Sequence, residues 1–199
     1  VSERAGDRDV ATASDEELAA LAAREGSDGV AFTALVERFR ERVWRVCWRL
    51  MGNEHDAQDA AQEVFVRLFF DRAKFAGRSR YSTWLHGVAL RTCLTLRRSR
   101  SRRRRRETPE AAAGDEARPV ATHADSRATA AQTVDAAHDV ARLLDGLDEE
   151  DRALVLMKFA EGHEYDELAE MFGTSAGALR MRVARIRERL AGRDEAGQR

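Results

Sequence analysis

Apolar positions recur at helical spacing along most of this chain. Ser14 precedes Glu17 by three residues, the spacing of a capping box, and predicts a first helix starting near Asp15 that turns Leu18 and Leu21 inward. The stretch from Gly26 to Gly29 breaks it. Phe32, Leu35, Val36, Phe39, Val43, Val46, Cys47 and Leu50 share a broad face, so a second helix runs from about Val30 to Met51 and closes at Gly52-Asn53. A third, roughly Glu54 to Asp71, packs Ala57, Ala61, Val64 and Leu68 and leaves Asp56, Asp59, Gln62 and Glu63 near one another on exposed turns. A fourth starts near Ser82, with Ser82 or Thr83 as its cap, buries Trp84, Leu85, Val88 and Ala89, and runs past Leu94 and Leu96.

A second helical unit is expected from about Val134, with Val140, Leu143, Leu144 and Leu147 apolar. Asp148 then caps a helix through Leu154, Val155, Met157 and Phe159 to Gly162. Residues 164–190 read as a helix-turn-helix: Leu168, Ala169 and Phe172 on a short helix, a Gly173-Thr174-Ser175 turn, then a longer helix with Leu179, Val183, Ile186 and Leu190 in one stripe. At about 100° per residue, Gly177, Arg180, Met181, Ala184 and Arg185 fall opposite that stripe. The predicted fold is all-α, two small helical domains joined by a flexible linker.

Charge sharpens this division. The net charge of −1 conceals blocks, since eight of the ten residues 97–106 are Arg. From Asp145 to Glu170 ten acidic residues face only Arg152 and Lys158, whereas residues 175–191 hold five Arg against Glu188. Such segregation suits a helix facing phosphate. The run of Arg predicts a helix tail and solvated arm, and the Ala-, Thr- and Asp-rich stretch after Glu107, with both prolines, predicts a linker. The expected boundaries are therefore residues 1–14 frayed, 15–100 a first domain, 101–133 arm and linker, 134–192 a second domain and 193–199 a tail.

Chemistry of the bond-making kind is not expected. No Gly-rich phosphate loop or nucleophile–base pair is visible, and Cys47 and Cys93 lack metal-ligand spacing, so no cofactor or metal is expected and the thiols are read as packed and reduced. No apolar run approaches the ~20 residues of a membrane span and the N-terminal segment is acidic, which predicts a cytoplasmic protein without membrane insertion. Residues 75–85 interleave Phe75, Tyr81 and Trp84 with Arg78 and Arg80; aromatics of this kind stack on unpaired bases while Arg takes phosphate, and Trp84 is assigned to the core instead.

The motifs Asp-Ala-Gln-Asp-Ala-Ala-Gln-Glu-Val-Phe at 56–65, Phe-Ala-Gly-Arg-Ser-Arg-Tyr-Ser-Thr-Trp-Leu at 75–85, Leu-Asp-Glu-Glu at 147–150 and Gly-Ala-Leu-Arg at 177–180, in that order, resemble an extracytoplasmic-function (ECF) sigma factor of bacterial RNA polymerase. The resemblance covers about residues 15–192. It implies that the first domain docks on the clamp helices of core RNA polymerase through Asp56, Asp59, Gln62 and Glu63. The same domain would melt and read the −10 promoter element through Phe75, Arg78, Arg80, Tyr81, Val88, Arg91, Thr92, Thr95 and Arg98. The second domain, near the polymerase flap, would read the −35 element with Arg180, Met181, Ala184 and Arg185, the outward face already found from helical angle. A further reading is a sigma factor held by an anti-sigma factor or gated by a regulatory kinase, with Thr83, Thr92 and Thr95 as hydroxyls near the DNA path. Gln58 stands where the family often has Glu, Arg91 and Thr95 where it commonly has Asn and Asn or Asp, and Ala178 and Met181 where it has Thr and Ser. Arg91 implies an altered −10 preference. A stand-alone helix-turn-helix regulator is the alternative, and it leaves the 56–85 motifs without a role.

Overall fold

A computed structural model describes residues 10, 12–25, 29–107, 144 and 146–197, and those residues form helices and turns without a strand. The expectations for residues 1–9, for most of the linker and for the start of the second unit near Val134 lie outside this set. In chain order the helices are α1 (Asp15–Ala22), α2 (Val30–Met51), α3 (Glu54–Asp71), α4 (Tyr81–Glu107), α5 (Glu149–Val155), α6 (Tyr165–Phe172) and α7 (Ala176–Gly197). A 3₁₀ turn (Arg72–Lys74) ends α3, and a π turn (Leu156–Ala160) prolongs α5.

Local chemistry accounts for the ends. Ser14 and Glu17 form the reciprocal capping box at α1, Gly52 closes α2 in the left-handed conformation at φ 81°, and the Asn53 side chain accepts from the Asp56 amide to start α3. Asp148 caps α5 by accepting from the Asp151 amide, and Gly173, at φ 66°, makes the turn between α6 and α7. Ser175 Oγ accepts from the Ala178 amide at 3.2 Å, as its place in the turn predicts.

Helices α2, α3 and α4 pack as a bundle over Leu35, Phe39, Val43, Val46, Ala57, Ala60, Val64, Leu85, Ala89 and Cys93, all buried, with α1 laid across α2. The second unit closes α5, α6 and α7 over Leu154, Met157, Leu168, Met171, Leu179, Val183 and Ile186.

Five expectations need correction. Leu21, expected to turn inward with Leu18, is 42% exposed. Helix α4 starts at Tyr81: the Trp84 amide donates to the Arg80 carbonyl at 3.1 Å and the Tyr81 amide to Glu16 Oε1 at 3.0 Å, so neither Ser82 nor Thr83 is the cap. The Arg run is the helix tail expected of it, as α4 continues to Glu107, but Arg100 is not left to solvent: ion pairs to Asp56 and, at 3.6 Å, Asp59 hold it. Phe159 is 61% exposed, since at about 100° per residue it falls roughly 140° from Leu154 and 160° from Met157, off the buried stripe. Helix α7 reaches Gly197, so residues 193–197 are helical.

The two units are docked on one another. Along α4, Thr83, His86, Gly87, Arg91, Arg97 and Arg98 meet the second unit at roughly one-turn intervals. Thr83 Oγ1 donates to Glu167 Oε1 at 2.6 Å, His86 Nδ1 lies 2.7 Å from His163 Nε2, and Arg91 donates to the Met171 carbonyl at 3.4 Å. Arg97 Nη2 donates to Glu149 Oε1 at 2.7 Å, and Arg98 pairs with Glu150. From α2, Arg49 pairs with Glu161.

Candidate nucleic-acid interface

The second unit presents the simpler surface. With Leu179, Val183 and Ile186 turned into its core, α7 must expose what lies opposite, and Arg180, Met181, Ala184 and Arg185 are all exposed. Arg180 lies 5.2 Å from the Tyr165 ring centroid, which steadies its guanidinium without neutralising it. Arg185 Nε donates only to its own helix, to the Met181 carbonyl at 3.4 Å, among the contacts of the described residues.

The other Arg residues of α7 are not equivalent. Arg182 Nε donates to Asp151 Oδ1 at 2.5 Å and Nη1 to Glu150 Oε2 at 3.2 Å, while Arg189 Nη2 donates to Asp151 Oδ2 at 2.6 Å. These bonds tie α7 to the start of α5 and, despite the partial burial that works against charge, raise the Arg182 pKa. Part of the segregated charge therefore closes the fold of the second unit. An Arg five residues from Arg187 and three from Arg185 gives no sign of this in the sequence, because the acidic partners lie over thirty residues away.

The first unit divides its predicted residues. Arg78, Arg80, Arg91, Thr95 and Arg98 are exposed and Phe75 is half-buried, whereas Tyr81, Val88 and Thr92 are buried. Tyr81 packs edge-on against Phe75 at 5.2 Å and against Phe39 at 5.5 Å, and burial, with Asp15 near, pushes its hydroxyl pKa up. In this arrangement Tyr81 is a core residue that supports Phe75 and Trp84, and no face of it is open to a base. Thr92 Oγ1 is buried without a hydrogen-bond partner among the described residues. Arg91, Thr95 and Arg98 line a cleft of about 760 Å³ together with Arg182 and Arg185 of α7, so residues predicted for two different DNA elements border one space.

On α3, Asp59 and Gln62 are exposed and Asp56 and Glu63 half-buried. The acids are partly paired within the chain: Asp56 and Asp59 with Arg100, and Glu63 with Arg67 at 2.8 Å. Two residues that the sequence reading passed over, Val66 and Phe70, continue the Asp59–Glu63 stripe at i+7 and i+11 and are 45% and 75% exposed. A helical wheel separates them from Ala57, Ala61, Val64 and Leu68; placing each apolar residue by angle would have found them.

Cys47 and Cys93 are both free and buried, and their mutual hydrogen bond together with burial pushes the Cys47 thiol pKa up, so it is a packing group. No cluster of three or more His, Cys, Asp or Glu suited to a metal ion occurs among the described residues, and no helix among them is long and apolar enough to cross a membrane.

Comparison with known proteins agrees with this architecture. The Sigma-70 region 2 family matches residues 35–103, and the Sigma-70 region 4 family matches residues 137–190. The chain is 32% identical over 178 residues to the ECF RNA polymerase sigma factor SigM of Mycobacterium tuberculosis, covering 89% of this chain and 83% of that protein. It is 33% identical over 159 residues to SigE of Mycolicibacterium smegmatis, covering 78% of this chain and 58% of that longer relative. Among solved structures, CnrH in complex with the cytosolic domain of CnrY has a similar fold, with a TM-score of 0.60 at 22% identity over 92% of this chain and 97% of that one. The Bartonella quintana sigma factor RpoE, in complex with the anti-sigma factor NepR, gives 0.59 at 20% identity over 80% and 93%. A region-2 bundle, a region-4 helix-turn-helix and relatives aligned across both place this chain in the ECF family of bacterial RNA polymerase sigma factors, which direct promoter recognition and transcription initiation.

Proposed function

We propose that this chain binds core RNA polymerase through the α3 stripe of Asp56, Asp59, Gln62 and Glu63, extended by Val66 and Phe70. In this reading Phe75, Arg78, Arg80, Arg91, Thr95 and Arg98 capture the −10 element. Tyr81, Val88 and Thr92 shape the ground beneath them. Arg180, Met181, Ala184 and Arg185 enter the −35 major groove, with Arg supplying base-edge and phosphate contacts. Catalysis belongs to the polymerase, and the chain works in the cytoplasm.

The observation that carries this reading is the open Arg180–Arg185 face of a helix-turn-helix in a chain that also carries the region-2 bundle. A stand-alone regulator explains only the first of these. Inhibition by a protein partner is part of the proposal, by analogy with the complexes of similar fold that hold the CnrY cytosolic domain and NepR. Of the three hydroxyls considered for a kinase, Thr83 and Thr92 are buried in the docked arrangement and Thr95 is exposed. Mixing the purified chain with core polymerase and a promoter library tests the reading. Promoter-specific initiation is expected, and loss of both polymerase binding and initiation would overturn it.

A further inference from the structure

The docked arrangement cannot be the one that reads a promoter, if the proposed assignments hold. Arg91, Thr95 and Arg98 on one side and Arg185 on the other share a single cleft of about 760 Å³, the size of a small-ligand site. A duplex −35 element and an unpaired −10 strand do not fit there together. The two units must part, and what holds them together is therefore a control point.

At the centre of their contact lies a pair of histidines. His86, from α4, and His163, from the turn before α6, meet with Nδ1 of the first 2.7 Å from Nε2 of the second, rings edge-on at 86°, both side chains buried. A hydrogen bond between two ring nitrogens needs one proton and one lone pair. His163 Nδ1 lies 3.3 Å from Glu167 Oε2, which assigns a proton to that nitrogen, and Glu167 Oε1 accepts from Thr83 Oγ1 at 2.6 Å. With His163 Nδ1 protonated, its Nε2 is free to accept from His86 Nδ1–H. His86 Nε2 is then buried with no partner among the described residues. A charge on His86 is opposed where it sits, because the ring is buried, 2.7 Å from a second imidazole and near Arg42.

We propose that the His86–His163 contact is a proton-sensitive latch between the two units, closed while His86 is uncharged and opened by acid to free the α4 side of the cleft. The charges around it agree in sign. Burial, the neighbouring His163 and Arg42 of α2 push the His86 pKa down to about 3, against a smaller opposing effect of Glu167. Burial works against the Glu167 carboxylate as well, yet hydrogen bonds from Thr83, the Glu164 amide and His163 hold its pKa below the usual value. Lys158, from the π turn, is engaged by the His163 carbonyl at 2.9 Å and by Glu164 at 3.3 Å.

A His whose pKa is depressed on closing binds fewer protons closed than open. Closure is therefore favoured fully above the ordinary His value of 6.5 and weakens as pH falls below it, toward about 3. Each unit of pH in that window shifts the open-to-closed ratio by about tenfold. Glu167 adds to this in the same direction below the ordinary carboxylate range.

The latch rests on the two-site promoter reading for its purpose but not for its measurement. Small-angle X-ray scattering of the whole chain at pH 7.5, 6.5 and 5.5, with circular dichroism to confirm constant helicity, follows the separation of the units without DNA or polymerase. The extended-to-compact ratio of the wild-type chain should rise about tenfold from pH 7.5 to pH 5.5, and His86→Gln should abolish the pH dependence. A wild-type ratio that does not change between those pH values, or a His86→Gln chain that expands in parallel with it, would overturn the proposal. If His86→Gln is open or misfolded at every pH, proton NMR of the wild-type imidazoles decides. A His86 signal titrating near its ordinary value while the chain remains compact refutes the latch, and one titrating only with expansion supports it.

Discussion

Helices α4 and α7 carry the two predicted DNA-reading surfaces, yet the fold treats them oppositely. Helix α7 buries Leu179, Val183 and Ile186 and leaves Arg180, Met181, Ala184 and Arg185 in solvent. Helix α4 is enclosed on more than one side: Leu85, Ala89 and Cys93 belong to the first unit's core, and Thr83, His86, Gly87 and Arg91 meet α6 or the turn before it. A helix with one apolar neighbour shows its function on its free face. One lying between two units has part of that face covered by intramolecular contacts, and polar residues there do double service.

The largest expected effect tests whether the open face of α7 is the reading face. Replacing Arg180 and Arg185 together by Ala should weaken binding to a −35 duplex by about 30-fold or more, at about 1–3 kcal/mol per base-contacting Arg, with the unfolding midpoint unchanged. Fluorescence anisotropy and urea denaturation measure the two quantities, and intact duplex binding would place the reading face elsewhere. Arg182→Ala separates fold from function on the same helix. It should lower stability by about 1–2 kcal/mol, the range for hydrogen bonds to charged groups reduced by solvent. Its effect on denaturation should exceed that of either Arg180→Ala or Arg185→Ala alone.

On α4, Thr83→Val removes the donor to Glu167 while keeping the buried volume. Loosening the contact by about 1 kcal/mol should raise affinity for a single-stranded −10 oligonucleotide up to about fivefold and leave −35 duplex binding unchanged; equal gains on both would break the contrast between the helices. The smallest effect concerns specificity. Arg91→Asn should shift base preference at one −10 position by about 1 kcal/mol, read from transcription on a promoter library randomised there. An unchanged preference would mean that Arg91 holds phosphate only.

Much of this was legible in the residues because local rules decide it. The capping pair Ser14 and Glu17, the left-handed Gly52 and Gly173, and the periodic faces of α2, α3 and α7 each depend on neighbours within a few positions. The start of α4 was legible to within one residue but its cap was not, because the group that receives the Tyr81 amide is Glu16, sixty-five residues earlier. Phe159 misled because apolar character alone suggests a core position, although at about 100° per residue it falls away from Leu154 and Met157.

The sequence by itself determined the helices, most of their caps, the division into two units and the exposed face of α7, since helical periodicity and turn chemistry act over one or two turns. Only the tertiary structure decided that Arg182 and Arg189 hold α7 to α5, that Arg100 covers Asp56, that Tyr81 is core, and that His86 meets His163. Each of those depends on which distant surface a side chain faces, and charge or polarity along the chain does not tell a side chain paired within the protein from one left for a partner.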